Sequence, residues 1–384
     1  MRLPKILVPL MICLALVAGY CGLHEGDALV EQPALEDPFV AAELACEQEM
    51  LDLALSYKPL REQIERHPNN PDVITENAIS EIIRHIAGFG YTVTAFDHNM
   101  ENHQQFDDFL KRVQTGADAS SYYYLVGNDG GFFRMDYQHE DGRLYITVSS
   151  LVWDEEGNPV AKYFTNLHIV EKWSYTEKGY FIYTTASNSG SHALLRVKPL
   201  AEKERNLCKA YIAPIGYQGN NLFLVDWDQD DMAPIAFNDL YDTLFALDTG
   251  ENTKYGMSTG SIPAGEFEPL FTKYFEITPE YLQQNAVYYT DNQTYFWNYL
   301  TCSKHYVWGH APSPEVVDSW ENGDGTITMV VDALDDYKGN DRAFTHEVTV
   351  REREDGSFVY ISNRVWPEDK PRVPSYIPRS EPII

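Results

Sequence analysis

The first folded elements that the sequence predicts are helices. Residues 39–56 are rich in Ala, Leu and Glu and predict a helix, and a second helix is predicted from Asn70 as its cap with Pro71 at its first position. The second helix, closed by Gly88 and Gly90, carries an apolar stripe of Ile79, Ile82, Ile83 and Ile86. A third helix is predicted from the stripe Phe106, Phe109, Leu110 and Val113.

After Gly116 the period of the pattern changes to two. Alternating apolar and polar positions, separated by turn clusters such as Asn128-Asp129-Gly130-Gly131, predict half-buried strands. These strands are predicted around residues 122–126, 132–137, 144–153, 163–175 and 180–185. The first half therefore predicts helices followed by an antiparallel meander.

The second half repeats this plan. Its helical stripe is Phe267, Leu270, Phe271 and Tyr274, and three strand segments that begin at Ile327, Phe344 and Gly356 correspond to those at Leu144, Phe164 and Gly179. Four matching segments in one order indicate internal duplication. The alternative is that any two amphipathic hairpins look alike under a period-two pattern.

We therefore predict an α+β protein of two similar modules, each with helices packed on an antiparallel β-meander, of cystatin-like or nuclear-transport-factor-like proportions. The predicted divisions are a signal segment (1–20), a tether (21–37), an N-terminal module (38–204), an acidic and aromatic connecting segment (205–235), a C-terminal module (236–366) and a Pro-rich tail (367–384).

The first twenty residues predict export. Arg2 and Lys5 precede an apolar run, residues 6–17, which is shorter than the roughly 20 residues of a membrane-spanning helix. The segment that ends at Cys21 resembles the acylation site of bacterial lipoproteins, although Tyr20 replaces the small residue usual there. Ordinary cleavage after Gly19 is the alternative. We expect a secreted or lipid-anchored protein that meets the membrane only through such an anchor.

The net charge limits the classes of molecule that the protein can bind. The net charge is −29, and it becomes −31 once Arg2 and Lys5 are removed with residues 1–20. Such a surface repels phosphate backbones, which argues against nucleic-acid binding. Beyond the signal region the cysteines are Cys46, Cys208 and Cys302, without metal-binding spacing, so they predict either one Cys208–Cys302 bridge or inert buried thiols.

Two segments, YIAPIGYQGNNLFLVDWD at residues 211–228 and residues 344–363, resemble a family of uncharacterised exported proteins from Gram-positive anaerobic bacteria, known only as a domain of unknown function. The resemblance covers most of the mature chain. It implies export, and it implies no established activity and no catalytic residues.

Alternating acids at Asp226, Asp228 and Asp230 match the first ligands of a calcium loop, the only cofactor that the sequence suggests. The sixth and twelfth positions hold Asp231 and Phe237 where glycine and glutamate are expected. The alternative is a solvated acidic turn between a strand at residues 222–225 and the next helix.

Other chemical candidates are weaker. Residues 256–260 match the G-x-S-x-G pattern around Ser258, but the preceding residues are polar and no helix follows at once. Two histidine groups lack a recognised metal spacing, namely His98 with Glu101 and His103, and His305 with His310. Tryptophans beside acids suggest either core packing or a sugar platform, at Trp227, Trp297, Trp308 and Trp320.

We therefore expect a non-catalytic binding protein of the cell envelope, for a peptide, glycan or small molecule; the alternative is a secreted hydrolase with a carboxylate-based site. The tail has five of the 21 prolines, so it is expected to be an extended strap or a passive tail whose removal after Trp366 leaves the melting temperature nearly unchanged. The functional alternative is a docking peptide for an aromatic groove, on this protein or another. Packing of Tyr376, Ile377 and Ile383 on the core would show a structural strap instead.

Calcium is expected to have little effect on stability. A ligand at one hundred times its dissociation constant stabilises the folded state by about 2.7 kcal/mol, so an occupied site would be visible as a higher melting temperature. Thermal unfolding with and without millimolar calcium checks this. A rise of several degrees that Asp226→Asn and Asp228→Asn abolish would contradict it.

Overall fold

The computed structural model describes residues 38–63, 66–67, 70–186, 192–253, 255, 259–299, 311–335 and 338–379. The chain divides between Pro199 and Leu200 into two compact units, each with helices and β-sheets, so the predicted α+β class is confirmed. None of the helices in these residues is long and apolar enough to cross a membrane.

Within its described residues the first unit has three helices: α1 (Pro38–Gln63), α2 (Glu76–Gly88) and α3 (Gln104–Gln114). The predicted start of α2 is wrong. Asn70–Ile74 forms strand β2, which pairs with β1 (Arg66–His67), and the helix begins after Thr75, whose hydroxyl accepts a hydrogen bond from the Ala78 N–H. Val73 and Ile74 are β-branched and favour a strand after Pro71, whereas Thr75 is a good helix cap.

The first unit contains one seven-stranded sheet in the order β3 to β9. All five predicted strands are present, and every pair is antiparallel except β3–β4. The strands are β3 (Val93–Ala95), β4 (Ala119–Val126), β5 (Phe132–Glu140), β6 (Arg143–Trp153), β7 (Pro159–Tyr175), β8 (Tyr180–Thr185) and β9 (His192–Arg196).

The two faces of this sheet have different covers. Helix α3 packs on one face, where the Phe106 ring lies 5.0 Å from that of Tyr137. Helices α1 and α2 pack on the other face, but only against one end of the central strands, at Tyr124, Phe132 and Leu151. Successive side chains of a strand point to opposite faces, so the rest of that second face consists of the next alternate positions on β4, β5 and β6.

The second unit begins with α4 (Glu202–Leu207), which continues into a π-helical turn (Cys208–Ile212). Its other helices are α5 (Phe237–Thr249), α6 (Ala264–Tyr274) and α7 (Pro279–Asn285). The predicted stripe of Phe267, Leu270, Phe271 and Tyr274 is buried on α6.

Two sheets complete the second unit. The larger has the order β10-β17-β16-β15-β14, and the smaller has the order β11-β13-β12. The first unit has six consecutive antiparallel strands after its helices, β4 to β9, whereas the second has four, β14 to β17, and a separate three-stranded sheet, so the duplication stays a prediction. The strands are β10 (Trp227–Asp228), β11 (Thr259–Pro263), β12 (Tyr288–Tyr289), β13 (Thr294–Asn298), β14 (Ser313–Glu321), β15 (Thr326–Asp335), β16 (Asn340–Glu352) and β17 (Phe358–Val365).

Residues 205–235 contribute to the core of the second unit. The strand predicted at residues 222–225 is wrong: Leu222 and Phe223 are fully buried in a turn. Two asparagines hold that turn through side-chain hydrogen bonds. The Asn220 carboxamide accepts from the Leu222 N–H and donates to the Ile215 carbonyl, and Asn221 joins the Pro234 carbonyl to the Ala236 N–H. Apolar residues therefore indicated burial here, but not a strand.

The expected passive tail is also wrong. After a short 3-10 helix (Lys370–Arg372), the chain packs on the second unit, and Arg379 is only 7% exposed. Its guanidinium donates to Asp242 Oδ2 at 3.1 Å, and its backbone N–H donates to Asp239 Oδ2 at 2.7 Å. The Tyr376 hydroxyl donates to the same Asp239 oxygen at 2.6 Å. The tail is a structural strap, since the carboxylates of α5 attract its cation and its donors.

Arg379→Ala is expected to lower the free energy of unfolding by about 3–5 kcal/mol, because it leaves the buried Asp239 carboxylate without its cation. Arg364, which is exposed on β17, is the matched control, and its replacement by Ala is expected to change that free energy by less than about 0.5 kcal/mol. Urea unfolding of both variants measures the difference. Equal stability of the two variants would contradict the strap.

Candidate functional site

The predicted calcium ligands have other partners. One oxygen of Asp226 accepts from the Val365 N–H and the other lies 2.6 Å from Lys370 Nζ. Asp228 Oδ1 accepts from the backbone N–H groups of Asp230 and Asp231 and so closes its own turn. Within the residues that the structure describes, no group of three or more His, Cys, Asp or Glu is arranged to hold a metal ion.

Other predicted site residues lie apart or outside the described residues. Outside lie Cys21, Ser258, Cys302, His305 and His310. His98 is bound to the Ser80 hydroxyl at 3.0 Å and to the Phe96 carbonyl at 2.9 Å, which gives it a structural role. The bridge to Cys302 stays a prediction; Cys208 Sγ lies 3.4 Å from the Pro314 carbonyl oxygen.

A cavity lies on the face of the first-unit sheet that α1 and α2 cover only in part, and we refer to it as the sheet pocket. Its volume is about 560 Å³. The registers Ser120–Gln138–Tyr145 and Tyr122–Asp136–Thr147 place alternate residues of β4, β5 and β6 side by side on this face. The sheet pocket is lined by Gln105, Ser120, Ser121, Tyr122, Arg134, Asp136, Tyr137, Gln138, Tyr145 and Thr147.

Arg134 is the centre of the charge network in the pocket. Its Nε donates to both oxygens of Asp136 at 3.1 Å, and its Nη1 donates to Glu49 Oε2, from α1, at 3.0 Å. The guanidinium also lies over the Tyr122 ring, 3.8 Å from its centroid. One cation therefore joins two carboxylates and an aromatic ring, and it fixes the side chains of β4, β5 and α1 relative to one another.

Glu49 binds tyrosines as well as Arg134. Its Oε1 accepts from the Tyr124 hydroxyl at 3.0 Å and from the Tyr122 hydroxyl at 3.3 Å. Burial, with the Glu49 charge second, raises the pKa of Tyr122 to about 12. Both phenols therefore stay protonated at neutral pH and donate to the carboxylate.

Burial also raises the pKa of Asp136 above its ordinary value, against the opposing attraction of Arg134. A carboxylate that is desolvated despite a paired cation is costly to the fold, and such groups are concentrated at functional sites. The network thus provides hydrogen-bond acceptors in a partly dehydrated pocket.

Several lining side chains are not used by the fold. The side chains of Ser120, Ser121, Thr147 and Tyr145 make no hydrogen bond, and Tyr145 makes no ring contact, with any residue in the described part of the chain. Tyr145 is half-buried and lines the pocket, so part of its ring is accessible there. Ser120, Thr147 and Tyr145 share the pocket face and can contact a bound molecule, whereas alternation turns the Ser121 side chain toward the α3 face.

A profile of a protein family matches most of the chain, residues 42–379, and its description is a family of unknown function, DUF6070. The chain belongs to this family. The match covers most of both units and the strap, and the family brings no activity with it. No curated protein and no solved structure matches the chain.

Sequence reasoning missed the sheet pocket. Arg134, Asp136 and Gln138 alternate with Met135 and Tyr137, which is a polar face on an otherwise apolar strand, and this signal was available. The partner Glu49 is distant in sequence, and only folding brings it to Arg134.

Two aspartates of the first unit are expected to respond oppositely to substitution. For Asp136 the folded pKa lies above the unfolded value, so ionisation destabilises the fold as pH rises through that range. Asp136→Asn should therefore gain stability relative to the parent protein between about pH 3.5 and pH 7. Burial raises the pKa of Asp107 too, but hydrogen bonds from Lys111 and Tyr175 outweigh burial and hold it below the ordinary value.

Asp107→Asn, the matched control, should lose stability at pH 7 by about 1 kcal/mol or more, and the loss should shrink as pH falls below the ordinary value. Urea unfolding at about pH 3.5 and at about pH 7 measures these differences in stability. A change in the free energy of unfolding with the same sign in both variants would contradict the conclusion that ionisation of Asp136 destabilises the fold.

Proposed function

We propose that this protein is exported and works outside the cytoplasm as a non-catalytic binding protein, with the sheet pocket as its ligand site. The signal-like segment 1–20 and the net charge of −29 support an extracytoplasmic protein without a nucleic-acid partner. The observation that carries the proposal is a pocket with a fixed charge network beside lining groups that have no partner within the described residues.

Preorganisation favours binding. The Arg134 network holds the floor of the pocket before a ligand arrives, so little ordering entropy is lost on binding. The lining combines hydroxyl, amide, carboxylate and aromatic groups, which is typical of sites that recognise a small ligand by a few placed polar groups. We propose that a peptide, a glycan or another small molecule is bound there.

A carboxylate-based hydrolase is the second candidate. Glu49 and Asp136 both contact Arg134, and the raised pKa of Asp136 is in the direction that a general acid requires. Turnover of a panel of fluorogenic glycosides, lost in both Glu49→Gln and Asp136→Asn, would favour this hydrolase over a binding protein.

Two further features of the sequence belong to the same proposal. The protein would contact the membrane only through an acyl group on Cys21. Palmitate labelling of the parent protein and of Cys21→Ser would test this anchor. We also propose that the two units arose by duplication, supported by a run of consecutive antiparallel strands after helices in each unit.

Filling the pocket is expected to abolish ligand binding. Thr147 lies half-buried in the lining, so Thr147→Trp places a large ring in the cavity, whereas Ser174→Trp adds the same ring at an exposed position of β7. Thermal shift against peptides, oligosaccharides, nucleosides and amino acids should give compounds that stabilise the parent protein and Ser174→Trp but not Thr147→Trp. Stabilisation that persists in Thr147→Trp, or no stabilising compound in any class, would contradict the proposal.

A further inference from the structure

We infer that the ligand of the sheet pocket is a neutral, hydroxyl-rich ring compound, a saccharide unit, seated against Tyr145 and hydrogen-bonded to Asp136. This inference rests on the proposed function and adds the chemical class of the ligand. It follows from the charges, the free hydroxyl groups and the aromatic ring at the site.

Charge argues against an anionic ligand. Among the described lining residues Arg134 is the one cation, and its Nε, Nη1 and Nη2 groups all contact carboxylates within 3.1 Å. A phosphate or carboxylate group would have to displace Asp136 or Glu49 from it, and would meet their repulsion. A neutral ligand avoids both costs.

Hydrogen-bonding capacity matches hydroxyl groups. A paired carboxylate keeps lone pairs beyond those that its Arg uses, so Asp136 can accept from ligand O–H donors. Ser120 and Thr147 have hydroxyls without a partner in the described part of the chain, and each can both donate and accept. A sugar hydroxyl has the same dual capacity.

Tyr145 provides an apolar surface. Its register neighbours on the same face are Gln138 of β5, which is polar, and Ile169 of β7, which is an exposed apolar residue. The C–H groups of a pyranose ring need such a flat apolar contact, while its rim needs donors and acceptors. By contrast, one face of the Tyr122 ring is already occupied by the Arg134 guanidinium. Tyr145 is therefore the ring to test.

The test compares ligand classes on the full mature chain. Saturation-transfer NMR would be measured with neutral disaccharides (maltose, cellobiose, xylobiose and chitobiose), with their uronic acid or phosphate counterparts, and with glucosamine. At least one neutral disaccharide should bind, and its acidic counterpart should bind at least tenfold more weakly. Tighter binding of the acidic compounds, or of glucosamine alone, would overturn the inferred class.

Variants locate the contact. Tyr145→Ala should weaken binding of that disaccharide at least tenfold, and Tyr145→Phe, which keeps the ring, should bind within about threefold of the parent protein. Tyr289→Ala, which removes an exposed tyrosine of the second unit, is the matched control and should bind like the parent. Equal binding by Tyr145→Ala and the control would overturn the role of Tyr145.

The outcomes separate the two proposals. Binding of only charged or peptide compounds, blocked by Thr147→Trp, would overturn the saccharide inference and leave the proposed binding function standing. If Thr147→Trp blocks the binding of none of the compounds, both proposals are overturned.

Discussion

A side chain on a strand can face only one side of its sheet, and the first unit depends on this constraint. On β5, Met135 and Tyr137 therefore face the core beneath α3, whereas Arg134 and Asp136 lie on the opposite face. Because α1 and α2 cover only one end of that opposite face, the polar positions are left at a half-sheltered surface. The sheet pocket is thus a product of alternation combined with incomplete cover.

The partial covering of this face by α1 and α2 also explains the strength of the charge network around Arg134. A fully covered Arg134 and its two acids would be a costly buried cluster, and fully exposed ones would be weakly coupled by water. At an intermediate depth, with the Arg134 side chain 12% exposed, the acids keep their partner and still border the pocket. The second unit shows the other extreme, where Asp239 and Arg379 are buried together and have a purely structural role.

Much of the fold could be predicted from the sequence because its signals are local. The stripes of α2 and α3 and the strands from β4 to β8 follow from period and turn residues. The errors occur where distant partners decide. Residues 222–225 form a buried turn because Asn220 and Asn221 bind its backbone, and the proline-rich tail is ordered because Asp239 attracts Arg379. The sheet pocket was missed for the same reason, since Glu49 and Arg134 are 85 positions apart.

The strap has a kinetic consequence. The hydrogen bond from the Arg379 N–H to Asp239 joins positions 140 residues apart, and the Tyr376 hydroxyl reaches the Gly219 carbonyl across 157 residues. Contacts of such long range require most of the intervening chain to be ordered first, so they form late in folding. Interactions made after the rate-limiting step slow unfolding and leave the folding rate almost unaltered. The strap therefore lengthens the lifetime of the folded second unit without changing how fast that unit folds.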